Sequence, residues 1–238
     1  MELNMNKNIT EHIVAYIDVL GTTSRRNADL EESLNMLHQL YTRTPKIAEN
    51  NLCLENIKMK AFTDNIVVAK ELSLDLHESI IDIIDFLHWC SFFQAYSISE
   101  FNWLIRGGIT IGKFFMDDVM ALGDRDGTLE KTMKLESCAI YPRIVIDAET
   151  LPKLQRYKKV EPYLILDFDG IHFLNYMICE LVGKSAKNAF EKMKLEASQE
   201  LDGPNKDKIY QKLLWHANYM NRALENGEQL NSESIHIT

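Results

Sequence analysis

Residues 12–18, His12-Ile13-Val14-Ala15-Tyr16-Ile17-Asp18, decide the fold: a β-branched and aromatic run that ends on a carboxylate, with Gly21 placed to turn the chain. Such a run predicts a central strand whose far end delivers Asp18. Outward from it, Leu30, Leu34, Leu37 and Tyr41 recur at helical spacing after Asp29, with Glu31 and Glu32 favourable in the first turn. Thr44-Pro45 predicts the end of that helix. Residues 57–62 and 66–69 flank Thr63-Asp64-Asn65, the pattern of an antiparallel hairpin whose tip presents Asp64.

Residues 74–94 carry Leu76, Ile80, Ile83, Ile84 and Leu87 at spacings suited to a buried helix. A strand over residues 103–112 contains Gly107, Gly108 and Gly112 among β-branched neighbours, which predicts close approach by another backbone or a ligand. After a turn at Asp117-Asp118, residues 128–139 read as a short helix stopped by Tyr141-Pro142, and residues 143–147 as another strand. Residues 162–174 add a strand or hairpin turning at Asp169-Gly170. The order βαββαβ, extended by these elements, predicts an α/β (α+β) architecture of ferredoxin-like type with helices on one face of the sheet.

Two terminal helices follow, one with the stripe Ala186, Phe190, Met193, Ala197 and Leu201, the other with Ile209, Leu213, Ala217 and Met220; Asp202-Gly203-Pro204-Asn205 breaks between them. The expected organisation is therefore a domain over residues 1–180 and a C-terminal helical extension over residues 181–238.

Composition bounds the function. In 238 residues, 46% hydrophobic and 26% charged content points to a packed core and away from disorder. The formal charge of -9 is the wrong sign for coating a nucleic-acid backbone, although a metal-neutralised nucleotide suits it. No apolar run is long enough for a membrane span and residues 1–10 lack a signal-peptide core, so the expected address is the cytoplasm. Cys53, Cys90, Cys138 and Cys179 form no CxxC pair and read as reduced and mostly packed, and the histidines form no HExxH.

Asp18 and Asp64 are the strongest chemical feature. If their strands are neighbours, both carboxylates reach one space as hard oxygen ligands for divalent ions. Solvated turn aspartates are the alternative. Gly21 and Thr22 offer backbone amides to phosphate oxygens or form an ordinary strand-to-helix turn; the GxxxxGK[ST] loop is absent. Arg106 reads as a phosphate counter-charge or a structural ion pair, and Lys60 as a cleft lysine or a solvated strand lysine. Arg143 either braces the site or anchors its strand, and Asp167 and Asp169 read as a turn.

Tyr16-Ile17-Asp18-Val19-Leu20-Gly21, Lys60-Ala61-Phe62-Thr63-Asp64-Asn65, Arg106-Gly107-Gly108-Ile109-Thr110-Ile111-Gly112, Lys134-Leu135-Glu136 and Tyr141-Pro142-Arg143-Ile144 together give the chain a likeness to a known family. It resembles the class III nucleotidyl cyclase catalytic domains, and the Tyr-Pro-Arg-Ile wording with the later Asp-Phe-Asp-Gly looks most like the bacterial antiphage pyrimidine cyclases. The resemblance implies that Asp18 and Asp64, with the backbone of Ile17, bind two Mg²⁺ or Mn²⁺ ions in a site shared across a homodimer. A ribose 3' hydroxyl would attack the α-phosphorus of UTP, or secondarily CTP, to give a cyclic monophosphate and pyrophosphate for a downstream effector. Glu130 and Lys134 stand where purine cyclases usually carry Asn and Arg, while Lys60 stands where they often carry a base-reading lysine. Adenylate or guanylate cyclase activity and an inactive nucleotide-binding module are the alternative readings. Neither a stable nucleic-acid partner nor a membrane is expected.

Overall fold

A computed structural model describes residues 9–21, 29–52, 54–123, 127–178, 190–191 and 206–225. The central strand is β1 (Thr10–Val19), followed by helix α1 (Leu30–Leu52), the hairpin strands β2 (Lys58–Phe62) and β3 (Asn65–Glu71), helix α2 (Leu76–Phe101) and strand β4 (Ile105–Met116). β1 lies between β3 and β4, antiparallel to both, and β2 pairs with β3 at the edge. These elements have the βαββαβ connection and the strand order β2-β3-β1-β4 of a ferredoxin-like sheet. Beyond β4 come β5 (Ala121–Gly123), helix α3 (Thr128–Cys138), β6 (Ile144–Ile146), helix α4 (Leu151–Gln155), β7 (Leu164–Leu166) and β8 (His172–Leu174). β6 runs parallel to β4, β8 and β7 complete that side of the sheet, and β5 pairs with β4 off the main path.

Alternation along β1 explains the layering. Ile13, Ala15, Ile17 and Val19 point into the large core with Leu37 and Leu40 of α1 and Phe86 and Phe93 of α2. Val14 belongs to a smaller cluster on the opposite face with Val67, Ala69, Phe114 and Met116, and Tyr16 and Leu129 of α3 pack against it. Helix α2 is fixed at both ends. The Asp75 carboxylate accepts the backbone N–H groups of His77 and Glu78, and Asn102 terminates the helix in the left-handed conformation at φ 53°.

Three details depart from the sequence reading. Helix α1 continues through Pro45 to Leu52. Proline removes one backbone donor there, but Ala48 is buried and Ile47 and Leu52 pack on the core, which holds the last turns in place. The helices also do not all share one face: α3 lies across the sheet from α1 and α2. Glycines in β4 admit it, since a Cβ on Gly108 would sit 2.3 Å from the Leu135 Cβ and 2.9 Å from the Thr132 carbonyl. Strand β5 and helix α4 were not foreseen as separate elements, being only 3 and 5 residues long.

Helix α5 (Lys206–Glu225) buries Leu213, Ala217 and Met220 as expected, and also Trp215, His216 and Tyr219. These residues join the same core as Phe173 and Tyr176. Of the preceding expected stripe, Phe190 is described and packs 5.2 Å from the His216 ring; Ala186, Met193, Ala197 and Leu201 lie outside the described residues. Cys90 is buried and Cys138 exposed, both as free thiols, while Cys53 and Cys179 fall outside the described residues. Among the described residues no helix is long and apolar enough to cross a membrane.

Replacing Gly108 by alanine forces α3 away from the sheet. Gly108→Ala is expected to destabilise the protein by about 1–3 kcal/mol, read from urea unfolding. A wild-type unfolding midpoint in that variant would contradict the tight β4–α3 packing.

Candidate active site

Strand pairing brings the two sequence-selected aspartates to one end of the sheet. Asp18 is in register with Asn65, the residue after Asp64, and the Val19 N–H donates to the Asp64 carbonyl at 3.1 Å. The tight turn that presents Asp64 places Thr63 at φ 59°. Its carboxylate Oδ1 accepts the Thr63 hydroxyl at 2.8 Å. On the other side, Asp18 is opposite Arg106, whose Nε donates to Asp18 Oδ2 at 3.1 Å.

Arg106 also approaches Glu136 Oε1 of α3 at 2.6 Å, as an ion pair without the alignment of a hydrogen bond. The result is a carboxylate–guanidinium–carboxylate chain bridging β1, β4 and α3. Asp18 and Glu136 keep only 15% and 10% of their side-chain surface exposed. Burial pushes the Asp18 carboxyl up to about 6; Arg106 opposes that rise, while the negative charges of Glu136 and Asp64 reinforce it. The space beside Asp18 therefore has an excess of negative charge that an added cation would relieve.

Sequence reasoning did not assign Glu136, Tyr41 or Lys212 to this site. The Tyr41 hydroxyl on α1 is buried without a hydrogen-bond partner among the described residues, and burial, then Asp64 and Asp18, raise its pKa well above the ordinary phenol range. Lys212 of α5 lies within electrostatic reach of Arg106 and Asp18, and burial lowers its pKa. Glu136 was visible in the Lys-Leu-Glu motif, but nothing in spacing revealed that it pairs with Arg106. Tyr41 and Lys212 occupied apolar or polar helix positions with no separate chemical signal.

The remaining selected residues have different placements. Lys60 aligns with Val67 and, through β3, with Tyr16, one row inward from Asp18 on the same face; its ammonium donates to the Asp117 carbonyl at 2.9 Å. Ile17 buries its side chain in the opposite core, so only its backbone is available to a ligand at this end. Gly21 has φ +81° and open space where a side chain would stand, whereas Thr22 lies outside the described residues. Glu130 and Lys134 are exposed on α3.

Arg143 takes the strand-anchor role. It is 1% exposed and forms ion pairs with Asp167 and Asp169 of the β7–β8 turn. Asp167 also accepts the Trp215 indole N–H at 2.8 Å, and Arg143 lies 5.3 Å from the Tyr141 ring. The Arg143 charge, selected from sequence for nucleotide binding or strand anchoring, is engaged inside the scaffold, and the Asp167–Asp169 turn supplies its counter-charges.

Among the described residues no cluster of three or more His, Cys, Asp and Glu side chains is arranged to hold a metal by itself. Asp18 and Asp64 still suit a small hard cation, because Mg²⁺ commonly uses one or two carboxylates and completes its shell with water and substrate phosphates. Their oxygen chemistry and the raised Asp18 pKa fit that mode.

No family model matches the sequence, and no curated protein matches it. Solved structures do. The catalytic core of a rhodopsin-guanylyl cyclase with converted specificity, in complex with ATPalphaS, aligns at 14% identity and TM-score 0.51 over 70% of this chain and 96% of that one. The monomeric guanylyl cyclase domain of the RhoGC fusion protein from the aquatic fungus Blastocladiella emersonii aligns at 14% identity and TM-score 0.51 over 69% of this chain and 94% of that one. The chain has a class III cyclase-like fold. This agreement includes the βαββαβ core, to which the further strands and the terminal helix are added.

Asp18 gives a signed pH effect. Its folded pKa exceeds the ordinary carboxylate value, so its favourable contribution is complete below about pH 4 and is lost as pH rises through about 6. Without added metal, Asp18→Asn is expected to be more stable than wild type at pH 8 by about 1 kcal/mol after solvent screening, with the difference vanishing below about pH 4. Thermal melts across that range measure it. For Arg143→Met, loss of the cation strands the buried Asp167 carboxylate and is expected to cost about 3–5 kcal/mol in chemical unfolding.

Proposed function

We propose that the chain is a divalent-metal-dependent ribonucleoside triphosphate cyclase. The convergence of Asp18 and Asp64 at the ends of β1 and the β2–β3 hairpin carries this reading. In the proposed reaction the 3' hydroxyl oxygen bonds to the α-phosphorus, the bond from that phosphorus to the bridging oxygen of the β-phosphate breaks, and pyrophosphate leaves. The hydroxyl proton passes to solvent or a phosphate oxygen. Bound Mg²⁺ or Mn²⁺ would supply charge stabilisation and lower the pKa of the attacking hydroxyl.

The chain's own work is orientation and electrostatics. Asp18 and Asp64 hold the cations, and Arg106 holds the Asp18 carboxylate in place. Gly21 and Thr22 are proposed to receive phosphate oxygens, with Lys60 on the base side of the cleft. Exposed Glu130 and Lys134 are proposed to meet nucleotide in the cleft of a second copy, giving a homodimer with shared sites. The domain over residues 1–180 and the extension over residues 181–238 are proposed to act together.

A purine triphosphate is the substrate class favoured here, because the structural relatives are guanylyl cyclase domains and one of them holds ATPalphaS. Pyrimidine cyclisation, UTP before CTP, is the second reading. It is favoured by the Tyr141-Pro142-Arg143-Ile144 wording, although Arg143 is engaged as an anchor. A cytoplasmic antiphage signalling role with a downstream effector rests on that same resemblance.

Purified chain incubated with each of ATP, GTP, UTP and CTP and Mn²⁺, with products identified by mass, tests the activity and separates the bases. A cyclic purine monophosphate and pyrophosphate are expected. Asp18→Ala and Asp64→Ala should each lower turnover by at least about 100-fold while preserving the folded signal in circular dichroism. Full activity in either variant would remove the metal assignment, and absence of cyclic product from all four nucleotides would leave the binding-module reading.

A further inference from the structure

Lys212 sits one helical turn before Trp215 and shares its side of α5. Trp215 fixes that side of the helix. Its indole N–H donates to Asp167 at 2.8 Å, its ring stacks on Tyr141 with centroids 5.7 Å apart, and it lies 5.9 Å from the Arg143 guanidinium carbon. Arg143 immediately precedes β6, whose Ile144 pairs with Gly107 of β4, the neighbour of Arg106. The aromatic anchor thereby carries the Lys212 side of α5 to the end of the sheet occupied by Arg106 and Asp18, and their charges act on Lys212 together with that of Lys208.

Lys212 is half-buried and makes no hydrogen bond or ion pair with the described residues. The nearly buried Lys70 shows the contrast: its ammonium is held by the Glu55 carbonyl at 2.9 Å and by Asp85 at 3.1 Å. A partly desolvated ammonium without a partner is costly. The carboxylate acting on Lys212 is Asp18, and Arg106 already bonds one of its oxygens. Arg106 thus bonds the carboxylate proposed to hold metal and Lys212 lies within electrostatic reach of it, a pair of cations suited to a multiply charged phosphate chain.

We propose that Lys212 binds the triphosphate of the substrate, so that the terminal helix supplies a direct contact in the catalytic pocket. This deepens the cyclase reading and rests on it. The ammonium meets the oxygens of the β- and γ-phosphates as a mobile point charge, and no covalent step involves it.

Magnesium tripolyphosphate, which has the phosphate chain but no ribose to react, serves as the probe in calorimetric titration of the full chain. Lys212→Met is expected to weaken its binding at least about tenfold, the effect of losing one charge-assisted contact. Lys212→Arg should stay within about threefold of wild type, and Lys208→Met, at an exposed position, should match it. Matched thermal melts of the four proteins separate a lost contact from lost folding. In the cyclisation assay, Lys212→Met should reduce kcat/KM by a similar factor. Wild-type tripolyphosphate affinity in folded Lys212→Met overturns the proposal even if the enzyme cyclises nucleotides. Weakened binding in that variant, with no cyclisation by wild type, supports the Lys212 contact and sinks the cyclase reading instead.

Discussion

The bond from Arg106 to Asp18 is the constraint around which the site is organised. It joins the central strand to its neighbour, and the approach of Glu136 extends it to α3. One guanidinium between two largely buried carboxylates leaves a local surplus of negative charge, increased by Asp64. Burial makes that surplus costly to the chain alone, and the same tension raises the Asp18 pKa.

Packing makes this arrangement reachable. Helix α3 settles over β4 because Gly108 and Gly112 present no side chain to it; a Cβ at Gly112 would lie 2.5 Å from the Thr128 hydroxyl. Glu136 is delivered to Arg106 by that close approach. At the same end of the sheet, beyond β4, Asp167 is shared between Arg143 and Trp215, so one carboxylate fastens the β7–β8 turn to the residue that precedes β6 and to α5. The two ion-pair assemblies differ in exposure: Arg106 keeps 28% of its side-chain surface, Arg143 only 1%.

Much of the fold was legible because it rests on local pattern. The alternation in residues 12–18, the polar break at residues 63–65 and the helical stripes each describe a single element, and the elements follow in an order with few solutions. Asp18 and Asp64 were legible for the same reason, since strand ends and hairpin tips can be located from sequence. Pro45 misled the reading because packing of Ala48 and its neighbours outweighs a local propensity. The glycines of β4 announced close approach but not the identity or side of the approaching element. Arg143 retained two meanings until its partners, more than 20 positions away, were placed. Glu136, Tyr41 and Lys212 were hidden because their significance comes from tertiary proximity to Asp18 and Arg106.

The borders of the sheet also shape how another molecule can meet it. At one border β2 is 5 residues long, and its Lys58 and Lys60 ammonium groups are tethered to the Met116 and Asp117 carbonyls; at the other, β7 has only 3 residues. Short, lysine-bearing margins are poor templates for adding a further strand. Self-association by continuous β-ladder growth is therefore disfavoured, and a second chain would be admitted more readily across a broad surface, with its alignment set by side-chain complementarity and not by main-chain pairing.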